Sequence, residues 1–216
     1  MSNQVKNILA IVAAAVLFGG CAAFAPKADL SSFYILGALP ELDLAAAKNP
    51  TGFIGSFSVG LGPIEMPGYL DRQQIATRTS TNRLSYSVND RWAAPLAESF
   101  GQAMGQNMSH LLNPAQMSQF PWQSNDAPDY QVKIEVLQFE GNSKQEAWLE
   151  ARWTVSDRSK KMLVSQNSQL KRHSGSLTTE DLVKAMSETV GDLSREIAKT
   201  LLSFEEQKRN LAVITF

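Results

Sequence analysis

Disulfide partners, metal ligands and excess charge are all scarce in this chain. Its single cysteine, Cys21, cannot close an intramolecular disulfide, so no cross-linked framework supports the fold. The two histidines, His110 and His173, have no cysteine or carboxylate at ligand spacing, which argues against a zinc-type centre. Lys and Arg number 20 against 21 Asp and Glu, so the basic surplus that a nucleic-acid backbone demands is missing. No Gly-x-Ser-x-Gly elbow occurs, and Gly60-Leu61-Gly62 lacks the rest of a phosphate loop. Ser168 and Lys171 match a Ser-x-x-Lys string, but a strand sends residues three apart to opposite faces, which rules out a nucleophile–base pair. The residues give no support for catalysis and imply no cofactor.

Long apolar runs are missing too. The one candidate, Ile8 to Phe18, has eleven residues, and about 16 Å of helix covers only half of the roughly 30 Å bilayer core. With Lys6 before it, residues 1–20 read as a secretory signal rather than a membrane span. Leu17-Phe18-Gly19-Gly20-Cys21 then resembles a bacterial lipobox, in which the cysteine is acylated and becomes the mature N-terminus. Phe18 stands where that motif usually has leucine. Ala22 as the next residue is similar to the outer-membrane sorting pattern of Gram-negative lipoproteins. Residues 21–32 are thus a lipidated N-terminus and tether, and 33–216 a single periplasmic domain. The competing reading is a signal cut elsewhere, with Cys21 incidental.

What is present is patterning. Hydrophobic residues make up 44% of the 216, enough for one core. Phe33 to Leu36 predicts a first strand, and alternation through Phe53, Gly55, Phe57, Val59 and Leu61 a second. Ile75–Thr79 and Arg83–Val88 predict a hairpin. Helical spacing of Trp92, Leu96, Phe100, Met104, Met108 and Leu111 predicts a helix capped by Asn89 or Asp90, with Gly101 and Gly105 open to close packing. Ala115–Asp129 reads as loop. Tyr130–Phe139, Gln145–Val155 and Met162–Lys171 predict an antiparallel meander with one wet face. Thr178 caps a second helix whose stripe is Leu182, Met186, Val190, Leu193, Ile197 and Leu201. The tail Leu211–Phe216 is either a last strand or a contact segment. The sum is α+β: two main helices packed on one face of a largely antiparallel sheet.

Gly62 to Arg72 stands apart. Its two prolines and two glycines argue against regular structure, yet Ile64, Met66, Tyr69 and Leu70 make it unusually apolar for a loop. It either packs under the fold as a buried turn, with Arg72 or Arg78 paired to Asp71, or meets a partner. Three strings in order carry a resemblance: Phe33-Tyr34-Ile35-Leu36, then Gly62-Pro63 through Met66-Pro67-Gly68-Tyr69-Leu70-Asp71-Arg72 with Ile75 to Arg78, then Arg91-Trp92-Ala93-Ala94-Pro95-Leu96. Behind a lipobox, they resemble the PqiC-type ABC transport auxiliary lipoproteins.

That resemblance implies a lipoprotein anchored by acyl chains such as palmitate in the outer membrane, on its periplasmic side. It implies a binding subunit, not an enzyme, serving an intermembrane phospholipid transport system. The implied partners are an MCE-domain conduit and the inner-membrane permease of the same system, with a second copy of the chain as a further candidate. Partner-binding residues would be Ile64, Met66, Pro67, Tyr69, Leu70, Asp71, Arg72, Arg78 and Trp92, with lipid on Cys21. The rival function is an outer-membrane lipoprotein that regulates or scaffolds envelope machinery without lipid transport.

Overall fold

A computed structural model describes residues 29–40, 57–113, 116–122 and 127–214. The lipobox with Cys21, the residues to 28, Phe53, Gly55 and the last two residues lie outside this set. Among the described residues eight strands and two long helices form: β1 Ser32–Tyr34, β2 Ser58–Glu65, β3 Gln74–Ser80, β4 Arg83–Trp92, α1 Leu96–Leu112, β5 Gln116–Gln119, β6 Tyr130–Asn142, β7 Glu146–Asp157, β8 Met162–His173 and α2 Thr179–Ile214.

The sheet branches at β6. One edge of β6 pairs antiparallel with β7, which pairs antiparallel with β8. Its other edge is shared by two parallel neighbours. β2 runs along Tyr130 to Glu135, and β3 takes over at Gly141 and Asn142. β5 then extends β2, while β4 and β1 extend β3. The two longest ladders are antiparallel, giving the α+β architecture expected from the alternation.

Burial follows the period-two pattern of β7. Ala147, Leu149, Ala151, Trp153 and Val155 are buried beneath the helices, while Arg152 is exposed on the other face. Phe100, Met104 and Met108 of α1 and Met186, Val190, Leu193, Ile197 and Leu201 of α2 close that core, each at 1% exposure or less. Each such side chain contributes about 1.5–3 kcal/mol of burial. Phe100 meets Phe139 edge-on at 5.5 Å between centroids. Gly101 and Gly105 let α1 approach β2 and β5, since a Cβ at Gly101 would lie 3.3 Å from Ile64 and one at Gly105 3.0 Å from Gln119. The Thr178 cap forms as its hydroxyl accepts from the Asp181 N–H at 3.1 Å. Leu39 is held between the helices: its N–H donates to Asn107 Oδ1 at 2.8 Å, and its side chain lies over Gly191.

Four elements depart from the expectation. β2 continues through Gly62-Pro63 to Glu65, because a register shift between Leu61 and Ile64 absorbs both residues and Gly62 takes φ +115°. Trp92 ends β4 rather than opening α1. Its N–H donates to the Gln73 carbonyl at 2.6 Å, and the Asp90 carboxylate accepts from Ser87 and Thr179 instead of capping a helix. β5 arises inside the stretch read as loop, paired to Ser58–Leu61 of β2. The tail is helical through Ile214, since nothing between Glu205 and Ile214 breaks a helix.

Candidate partner-binding surface

Beyond Glu65 the chain leaves the sheet and makes a single 3-10 turn, Gly68–Leu70. Leu70 N–H donates to the Pro67 carbonyl at 2.9 Å and Asp71 N–H to that of Gly68 at 3.2 Å. Pro67 suits this entry because its fixed φ is already that of the turn and its missing N–H is not needed. Leu70 points inward at 5% exposure, whereas Gly68, Asp71 and Arg72 are exposed. Met66 and Tyr69 are half-buried against the core.

What holds the turn is a carboxylate that no sequence motif marks. Glu140 of β6 is 1% exposed; its Oε2 accepts from the Tyr69 hydroxyl at 2.7 Å, and its Oε1 from Arg78 Nε at 2.6 Å. Arg78 also reaches the Thr81 carbonyl at 2.9 Å. The Tyr86 hydroxyl donates to the Tyr69 carbonyl at 3.2 Å, and the Arg72 guanidinium stacks on the Tyr86 ring at 5.0 Å. Arg78 is therefore committed to Glu140, not to Asp71. Burial, reinforced by the neighbouring carboxylate, pushes the Tyr69 phenol well above its ordinary range. Burial alone would lower the Arg78 value, but the hydrogen bond and charge of Glu140 more than reverse this.

The nine candidate residues thus divide. Tyr69, Leu70 and Arg78 fasten the turn, and Trp92, 4% exposed, lies in the core. Ile64 packs on Gly101 of α1. Met66, Pro67, Asp71 and Arg72 remain to shape the outward surface. Beside Ile64 lies an open cavity of about 340 Å³, lined by Pro63, Glu98, Gly101, Gln119 and the 53% exposed Phe120. No sequence signal pointed to Glu140: it stands one residue beyond the predicted strand Tyr130–Phe139, and the register shift between Val136 and Gln138, with β3 and the turn, decides its burial.

Ser168 and Lys171 do diverge: Ser168 accepts from Trp153 Nε1 at 2.9 Å and donates to Glu196 on the helix side, while Lys171 lies over Trp148 on the other face. Among the described residues no group of three or more His, Cys, Asp or Glu is placed to hold a metal ion. Nor is any helix among them long and apolar enough to cross a membrane.

The fold has solved counterparts. The crystal structure of protein XCC0632 from Xanthomonas campestris, a DUF330 protein, is similar at a TM-score of 0.67 and 16% identity, covering 82% of this chain and 99% of that one. A crystal structure of an uncharacterized protein matches at a TM-score of 0.64 and 17% identity, over 79% of this chain and 98% of that one. At these identities they speak for the fold alone. No curated protein matches this sequence significantly. A family profile for the ABC-type transport auxiliary lipoprotein component does match, over residues 40–198. That span holds β2 through β8, both helices to Ala198 and the Glu140-fastened turn, and by it the chain belongs to the ABC-type transport auxiliary lipoprotein family.

Proposed function

We propose that this protein is the outer-membrane-anchored lipoprotein subunit of an MCE-type intermembrane phospholipid transport system. Cys21 carries the acyl chains, residues 22–32 form the tether, and the domain from residue 33 docks the periplasmic conduit that the inner-membrane permease feeds. Two or more chains at about 0.8 kcal/mol per buried methylene make such an anchor stable. The subunit positions its partner and performs no hydrolysis.

The observation that carries the docking role is the contrast within the Met66–Arg72 turn. Its tip is exposed at Gly68, Asp71 and Arg72, yet its base is pinned to the buried Glu140 through Tyr69. A rigid, charged protrusion loses little entropy on binding, so contacts made there translate efficiently into affinity. The cavity beside Ile64 and Phe120 offers an apolar neighbour for a conduit side chain.

The test is a charge swap at the tip, Asp71→Arg with Arg72→Glu, in the full chain. Both side chains are exposed, so the melting temperature stays near that of the wild type while co-purification with the MCE partner is lost. Undiminished co-purification would overturn the docking surface. An envelope defect on gene deletion with phospholipid exchange between the membranes unaltered would instead favour the scaffolding function.

A further inference from the structure

The sheet face turned away from the helices carries a second feature, which does not rest on the docking role of the turn. Pairing of β6, β7 and β8 places Gln138, Trp148 and Lys171 on this face, with Trp148 directly opposite Lys171. With Arg78, Lys144 and Glu146 they line an open cavity of about 450 Å³. Two donors there are unanswered. Trp148 Nε1 and Gln138 Nε2 are shielded from solvent and have no hydrogen-bond partner among the described residues. A shielded donor lacking an acceptor is destabilising, and an indole N–H can only donate.

The charges nearby complete the pattern. The Lys171 ammonium lies 4.1 Å from the centroid of the Trp148 ring, held by the ring quadrupole. Arg78 is committed to Glu140. Glu146, the one carboxylate in the lining, accepts from Asn142 Nδ2 at 2.9 Å. The hydrogen bond from Asn142, with the charges of Lys171 and Lys144, holds the Glu146 carboxyl below its usual range, so these two lysines against one carboxylate leave a single positive charge in excess. Every missing group is therefore of one kind: an acceptor, and an anionic one.

We propose that this cavity binds a phosphate group, with Trp148 and Gln138 donating to its oxygens and Lys144 and Lys171 balancing its charge. A planar carboxylate is best met by a guanidinium fork, and the one guanidinium here is already occupied. A tetrahedral phosphate offers an acceptor oxygen to each of several separate donors. Lys171 is an exposed, long side chain over the Trp148 ring, and a change of its rotamer uncovers that face of the indole. Free phosphate and a phospholipid headgroup present this chemistry equally.

Calorimetric titration of the full chain in detergent separates the two sources. The probes are inorganic phosphate, dihexanoyl phosphatidylglycerol, and dihexanoylglycerol, which lacks phosphate. Saturable binding of at least one phosphate compound is expected, with Trp148→Phe, which keeps the ring and removes the donor, and Lys171→Gln each weakening it about tenfold. Inorganic phosphate binding as tightly as the lipid identifies a free-anion site; binding of the lipid alone identifies a headgroup site. The proposal is overturned if neither phosphate compound binds, if dihexanoylglycerol binds as well as its phosphorylated counterpart, or if both variants bind like the wild type. Lys171 is exposed, so its variant remains informative should Trp148→Phe fold poorly.

Discussion

The Tyr69 hydroxyl donates to Glu140 Oε2 at 2.7 Å across 71 residues of sequence, tying the tip-bearing turn to the central strand of the sheet. Because Arg78 Nε shares the same carboxylate at 2.6 Å, turn and β3 are fastened to β6 at one point. Removing one partner of a buried ion pair leaves the other uncompensated. Glu140→Ala should cost about 3 kcal/mol in urea unfolding, and Tyr69→Phe, which deletes one hydrogen bond, about 1 kcal/mol. Equal stability of Glu140→Ala and the wild type would show that the carboxylate does not hold the turn.

Leu39 and Gly191 form the second critical contact. A Cβ on Gly191 would fall 2.4 Å from Leu39 Cδ2, closer than real side chains approach. Gly191→Ala should therefore destabilise the protein by about 1–2 kcal/mol despite alanine's better helix propensity. Combined with Leu39→Ala, the substitution should cost less than the sum of the two single changes. Additive effects in a double-mutant cycle would refute the clash.

Alkaline titration probes the far end of the molecule. Tyr130 donates to Glu205 Oε1 at 2.5 Å beneath the stacked Phe204 ring. Burial first, then this carboxylate, raises its phenol from 10.0 to about 12. The folded state thus keeps a proton that the unfolded state releases, so this stability is complete below pH 10 and is lost as pH rises through about 12. Tyr130→Phe should flatten the fall in stability over that interval, measured by urea midpoints at successive pH values. An unchanged slope would contradict the assignment.

Lipidation is tested at Cys21. Cys21→Ser should leave the chain unacylated, shift it from the outer-membrane to the soluble periplasmic or inner-membrane fraction, and leave the folded domain's melting temperature unaltered. An intact mass showing no acyl group on the wild-type protein would remove the anchor.

Much of this fold is written in the chain. Period-two alternation from Gln145 to Val155 and the 3.6-residue stripes of Phe100-Met104-Met108 and Met186-Val190-Leu193 specify the meander, both helices and the face they bury. Thr178 followed by Asp181 specifies a helix start through local hydrogen bonds. These features need only neighbours in sequence, so sequence alone fixes them, as it fixes the lack of an intramolecular disulfide in a chain with one cysteine.

Tertiary pairing decided the rest. Asn89 and Asp90 could have capped a helix, but both belong to β4, where Asp90 and Trp92 pair with β1 and the Trp92 N–H meets the Gln73 carbonyl. Gln116–Gln119 became a strand only because β2 offered it an edge. The turn from Pro67 to Arg72 was legible as unusual, yet its fastening was not. Glu140 becomes buried when β3, rather than β2, takes over the edge of β6 at Gly141, which brings Arg78 and Tyr69 onto one carboxylate. Such a junction depends on which of two strands occupies an edge, and no local pattern encodes that choice.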